Sequence, residues 1–593
     1  MRPQPASVMP CCIFMADGWS GGGAEPVLRL DLREPRRQLV HASLQLQPRG
    51  GSLDLRLPAW TPGSYLIRDY VRTLEGLEIR QGSARLNPRR RDPACWSVRL
   101  EGEGPLEIRW RILASELTVR TCHLSPDHAF LALAGVALLA EGERWSPHRL
   151  ELLLPDGWSG FVALPSHPDG GWLAADYDDL IDTPIEAGPH PCHSFAVAAV
   201  PHRWVSWGGD LPAQDPDWIA DVERLCLACC RLMGVERPAA EHYLFVLHLL
   251  DQGYGGLEHD RSCVLQYGRR ALRRPEGRRR LLQLVAHEYL HQWNVRRLRP
   301  AELTPITYGR AVIVPSLWFA EGITSYLDQL LPVAAGLGSE ADLLDDLGAD
   351  LCRYLLTSGR RVQSLEASGE EAWVKLYRQD AHSHDNQISY YLKGAVLSLV
   401  LDLHLRRCGS WLGAVLRQLW QSHGRWRRGY RQQDLLAAFA DHAPDLSTLL
   451  PQWLTSTDDP PIDDYLSDVG LRLVAETGTQ PFAGWQIDSQ PQTGLTLRRV
   501  DRDGPAQRAG LLVGDELLAI DGCRVRREDD LADLLGPVVQ PAPVEVLLCR
   551  DGSVRSLPLQ ADPPVVVRWR LKSEENPGDA VRERRRRWLE LRP

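Results

Sequence analysis

At 593 residues, 44% hydrophobic and 24% charged, the chain is too long for a single hydrophobic core and has the composition of a soluble protein of three or four domains. Its formal net charge of -9 excludes a general nucleic-acid binder, because phosphate binding needs a basic face. No apolar run reaches the roughly 18 residues a membrane-spanning helix requires.

Residues 1–25 predict a disordered tail. They hold a glycine triplet at 21–23 and a weak apolar patch broken by Pro10, which makes a poor secretory signal. An odd count of 13 cysteines without paired spacing fits a reducing compartment, and the cytoplasm is the expected location. From 26 to 205, short alternating runs such as Val27-Leu28-Arg29-Leu30-Asp31-Leu32, separated by Pro/Gly turns, predict an all-β domain. From 206 to 455 the periodicity turns helical, predicting a mainly α domain. Within it, Cys226, Cys229 and Cys230 lack a second cluster to complete a metal set and read as buried thiols. The acidic, Pro-containing stretch 456–465 predicts a linker, and strands with a short helix return over 466–565. The basic loop at 269–280 and the basic tail at 566–593, with its run Arg584-Arg585-Arg586-Arg587, read as solvated. The fold class is thus multidomain α+β.

The segment Leu284-Val285-Ala286-His287-Glu288-Tyr289-Leu290-His291 places His-Glu-x-x-His on an apolar helix. Residues four apart point about 40° from each other, so both imidazoles face one ion. Glu288, one step on, can reach a water there without ligating the metal. These residues point to Zn2+ held by His287 and His291, with Glu288 as base. A catalytic zinc takes three protein ligands. Glu321, in Trp318-Phe319-Ala320-Glu321-Gly322, is the preferred third, since a carboxylate in an apolar run is costly unless paired or metal-bound. Glu302, in a Pro-flanked loop, is the competitor.

Several motifs in order resemble the glycyl aminopeptidase family of zinc metallopeptidases. They are Leu57-Pro58-Ala59-Trp60-Thr61-Pro62-Gly63-Ser64-Tyr65, Gly255-Gly256-Leu257-Glu258-His259, the run from His287 into Trp293-Asn294-Val295, Glu321-Gly322, and Tyr390-Tyr391-Leu392-Lys393-Gly394. The resemblance implies an N-terminal β domain, a thermolysin-like catalytic domain and a C-terminal PDZ-like α/β domain. It also implies peptide substrates with N-terminal glycine or alanine. It makes Tyr391 an oxyanion donor, with neighbouring Tyr390 as the alternative, and makes Gly256 and Glu258 substrate-binding residues, the carboxylate receiving the substrate ammonium. His259, His382 and His384 remain unassigned.

Arg502-Asp503-Gly504-Pro505-Ala506 followed by Gly514-Asp515-Glu516-Leu517 resembles a bacterial PDZ domain, with peptide C-termini as possible ligands. Gly470-Leu471-Arg472-Leu473 is the candidate carboxylate loop. A zinc endopeptidase and a PDZ scaffold with an inactive peptidase domain are the competing expectations.

Overall fold

A computed structural model describes residues 25–490, 494–535 and 542–593; apart from Glu25, the tail expected over 1–25 lies outside them. The chain forms two compact units. Among the described residues, no helix is long and apolar enough to cross a membrane.

The first unit comprises residues up to 230, then 235–292 and 306–311. Val27–Asp31 pairs antiparallel with Leu39–Leu46 and parallel with His148–Leu153 inside a seven-stranded sheet. Its alternation turns Leu28 and Leu30 inward, as a half-buried strand requires. Two four-stranded sheets complete the β region. A further five-stranded mixed sheet runs in the order Cys192–Val197, Val200–Trp207, Tyr243–Leu250, Ser262–Gly268, Tyr254–Glu258. The strand Val200–Trp207 crosses the boundary expected at 205, and the strands Tyr243–Leu250, Tyr254–Glu258 and Ser262–Gly268 occupy a stretch whose sequence reads as helical. Tyr243–Leu250 is apolar apart from His248 and buried on both faces, and a short run of that kind has no period to separate strand from helix. Tyr254–Glu258, antiparallel to Ser262–Gly268, lies at the sheet's edge.

The second unit comprises 231–234, 293–305 and 312–593. Its central helix, Tyr390–Arg407, is buried on nearly every side, and its polar residues are paired. Asp402 accepts from the Tyr326 hydroxyl at 2.9 Å and from the Leu412 amide at 2.9 Å. His404 lies 2.9 Å from the Tyr465 hydroxyl and 3.0 Å from Asp445.

Leu471–Thr477 pairs antiparallel with Val566–Ser573 in a two-stranded ribbon, separate from the sheet that contains Trp485–Gln490, Gly494–Val500, Glu516–Ile520, Val544–Arg550 and Ser553–Leu559. The PDZ sheet is therefore inserted between the strands of this ribbon. Leu571 packs on Gly348, and the Trp569 amide reaches Cys352 Sγ at 3.3 Å, so the ribbon is seated on the helix Glu340–Leu356. The basic tail forms that second strand and then the helix Asp579–Leu589, on which Arg584, Arg586 and Arg587 are exposed, as expected of a solvated helix end. Trp588 is fully buried and donates to the Tyr326 hydroxyl at 2.7 Å. Arg585 donates to the Val469 carbonyl, 2.5 Å, and pairs with Glu340 at 2.9 Å. Truncating a buried tryptophan typically costs about 3–5 kcal/mol, so this helix is part of the folded body.

Candidate metal centre

The helix Gly277–Leu290 is set in the first unit by Leu281, Leu282 and Val285, all fully buried. Its C-terminal end is clamped by polar contacts. Burial pushes the His202 imidazolium down to about 4, so the ring is neutral: Nδ1 donates to the Val200 carbonyl and Nε2 accepts the Tyr289 hydroxyl, each at 2.9 Å. Gln292 Oε1 accepts the amides of Ala239 and Ala240, 2.9 and 3.2 Å. On this helix and its C-cap, the rings of His287 and His291 stand 4.6 Å apart at 86°.

Glu288 and Glu258 are both 4% exposed and His291 is 1% exposed. The three bring ligand-type atoms within 4.8 Å of one another. A Cβ on Gly256 would fall on the Glu288 carboxylate, so any side chain there would have to displace Glu288. Arg120 donates to the Gly256 carbonyl at 3.3 Å. The loop after Trp60 covers Glu258: a Cβ on Gly63, whose φ is +80°, would stand 2.6 and 2.7 Å from the Glu258 carboxylate oxygens. Glu258 Oε1 is buried and accepts no hydrogen bond among the described residues. Gly63 and Arg120 are functional candidates that sequence reasoning missed. The Trp60-Thr61-Pro62-Gly63 motif marked the first, but its target was not readable.

In the second unit, Glu321 is 2% exposed and lies in the π-helical turn Trp318–Gly322. Asn294 Nδ2 donates to Phe319 and Ala320 carbonyls of that turn, 3.0 and 3.3 Å. A Cβ on Gly322 would meet the Gly394 Cα at 2.5 Å, so the two glycines allow direct backbone contact between the turn and the helix carrying Tyr391. Burial, then the Glu321 charge, raise the Tyr391 phenol well above its usual 10, which keeps it a proton donor. Tyr377 lies 3.2 Å from both the Tyr390 and Tyr391 hydroxyls. Tyr390 is fully buried, whereas Tyr391 is half-buried. Glu302 is exposed.

The structure thus groups His287, Glu288, His291, Gly256 and Glu258 in the first unit, and Glu321 with Tyr391 in the second. Two imidazoles one helical turn apart, beside buried carboxylates, form a donor set that suits zinc. Of the remaining histidines, His259 lies 3.2 Å from Asp182 and His384 lies 3.4 Å from Asp385. His382, whose amide donates to Asp380, caps a short helix. Cys226, Cys229 and Cys230 are buried and join no metal-ligating group among the described residues. The candidate carboxylate loop at Gly470–Leu473 is corrected: its strand pairs in the ribbon, and the Gly470 carbonyl accepts the Glu574 amide at 2.9 Å.

Residues 27–189 match the peptidase M61 N-terminal domain, 280–397 the M61 glycyl aminopeptidase, and 496–550 a PDZ domain. No curated protein sequence matches the chain. An aminopeptidase N family protein from Idiomarina loihiensis is 26% identical with a TM-score of 0.87, over 95% of this chain and 100% of that one. An M1 zinc metallopeptidase from Deinococcus radiodurans is 15% identical, TM-score 0.47, over 74% of this chain and 95% of its own. Leukotriene A4 hydrolase from Saccharomyces cerevisiae is 13% identical, TM-score 0.46, over 75% and 70%. With both peptidase domains and the PDZ domain in this order, the chain belongs to the M61 glycyl aminopeptidase family and is a metallopeptidase.

Proposed function

We propose that this metallopeptidase is a zinc-dependent aminopeptidase that removes small N-terminal residues, glycine or alanine, from peptides. The observation that carries the reading is Glu258, a buried carboxylate with one oxygen that accepts no hydrogen bond among the described residues, on an edge strand beside Glu288. An ammonium is the natural partner for such a group, and a free N-terminus supplies it.

His287, His291 and Glu321 would hold the zinc. When bound, the metal supplies a water acidified towards neutral pH and polarises the scissile carbonyl. The substrate backbone adds to the edge strand Tyr254–Glu258 and its ammonium meets Glu258. Glu288 takes the proton of the attacking water and delivers it to the leaving amine. Tyr391, held protonated, donates to the developing oxyanion. The Gly63 backbone over Glu258 leaves little room beside the amine, which supports a small first residue. The PDZ domain would take peptide C-termini along its edge strand Trp485–Gln490.

The test is a panel of free and N-acetylated peptides, assayed with and without chelator, on protein of measured zinc content. Free peptides with N-terminal glycine or alanine should be cleaved, chelation should abolish turnover, and Glu288→Gln should keep zinc but lose hydrolysis. Efficient internal cleavage of acetylated peptides would make the enzyme an endopeptidase; zinc-loaded protein without peptidase activity would make it a scaffold.

A further inference from the structure

The geometry points to a second divalent-cation site of zinc type in the first unit, formed by His128, Glu186 and His190, and using none of the candidate catalytic residues. Glu186 lies in Ile185–Gly188, flanked by Ser159–Val162 and Ala129–Leu131, and its side chain is fully buried. His128 immediately precedes the latter strand. His190 folds back over Gly188, where a Cβ would fall on its imidazole, so the glycine makes room for the ring. His128 Nδ1 lies 3.1 Å and His190 Nε2 2.9 Å from Glu186 Oε1, and the three ligand-type atoms lie within 4.8 Å of one another.

Outer contacts match those of a ligating carboxylate. His248 Nε2, from Tyr243–Leu250, reaches Glu186 Oε2 at 2.8 Å, the kind of hydrogen bond that orients a metal-bound carboxylate. Trp207 stacks on His128 at 3.9 Å. The His128 and His248 side chains are fully buried and His190 is 7% exposed. His123, its ring 5.0 Å from that of His128, has a buried Nδ1 without a hydrogen-bond partner among the described residues, and is the nearest candidate for a fourth donor. Hydrogen bonds alone could satisfy Glu186. They would not call for several imidazoles crowded on one carboxylate in a buried space, where more than one proton charge would bring strong mutual repulsion. Histidine and carboxylate donors are zinc chemistry, and bonds of about 2.0–2.1 Å would draw these atoms into one sphere with small side-chain adjustments. Such an ion would tie the strand of Glu186 to the residues just before Ala129–Leu131 and to the turn that carries His190.

The experiment uses the full chain, stripped with chelator and titrated with zinc chloride. Wild type should bind two zinc ions per chain, His287→Ala/His291→Ala one, and that variant with His190→Ala and Glu186→Gln added none. In His287→Ala/His291→Ala, zinc should raise the melting temperature, and adding His190→Ala should abolish the shift. Anomalous scattering at the zinc edge from crystals of zinc-loaded wild type, which needs no variant to fold, should give a peak bounded by His128, Glu186 and His190. A folded His287→Ala/His291→Ala variant that binds no zinc, or an anomalous map without that peak, would overturn the site.

Discussion

The Glu288 carboxylate occupies the space that a side chain on Gly256 would need. The edge strand proposed to bind substrate and the proposed base are therefore in contact through a missing methyl group, and the position of one sets the position of the other.

Gly256→Ala should displace Glu288 and lower kcat by roughly 100-fold, the scale of a misplacement near 1 Å, while zinc content stays at the wild-type level. Steady-state kinetics beside metal analysis checks this. Wild-type turnover in the variant would mean that Glu288 is not the base or that the strand gives way freely.

Tyr391→Phe should lower kcat by about 100–1000-fold with little change in KM, as for loss of one oxyanion donor. Tyr390→Phe should have a small effect, since that ring is fully buried. Burial and the Glu321 charge raise the Tyr391 phenol, so the alkaline limb of the wild-type rate profile is expected to come from another group. If the two variants exchange behaviour, the donor is Tyr390.

Glu258→Ala should weaken free peptides far more than acetylated ones, narrowing the gap between them. Leaving one partner of a charged hydrogen bond desolvated costs on the order of 1–3 kcal/mol, roughly 5- to 150-fold in kcat/KM. An unchanged ratio would return Glu258 to a structural role.

Lys393 is 3% exposed, and its Nζ donates to the Arg360 and Gln363 carbonyls at 3.2 and 3.3 Å. Burial pulls it down to about 8. Below pH 8 both the folded and unfolded chains hold this proton, and the cost of burying the charge is complete. Between pH 8 and about 10.5 the unfolded chain holds more protons, so stability rises with pH, by on the order of 3 kcal/mol in all. Chemical denaturation of wild type and Lys393→Met across this range should show wild type gaining on the variant. A constant difference would show that the ammonium titrates normally.

Much of the candidate site was legible because polar groups stood out in apolar helical runs: His287, Glu288 and His291 in one, Glu321 in another. What places them was not. Gly322 against Gly394 and Gly63 against Glu258 are contacts made by absent side chains, which leave no periodic signal. The sheet through Tyr243–Leu250 was hidden because that strand, His248 apart, is apolar on both faces and shows no alternation. Leu471–Thr477 alternates like any strand, and nothing in its own residues names Val566–Ser573 as its partner rather than the PDZ sheet. The run of arginines masked Trp588, the residue that anchors the final helix. The imidazoles around Glu186 come from separate stretches of the chain, His128 ahead of one strand, His190 after another and His248 within a third, and spell no motif.

The ribbon has a practical consequence for anyone cutting the gene. Because the chain enters and leaves the PDZ domain through two paired strands, and then returns to bury Trp588 beside Tyr326, a stop codon ahead of the domain would also strip a strand and an anchor from the peptidase body. A fair PDZ-free enzyme must be made by excision and splicing, with a short turn joining the end of Leu471–Thr477 to the start of Val566–Ser573.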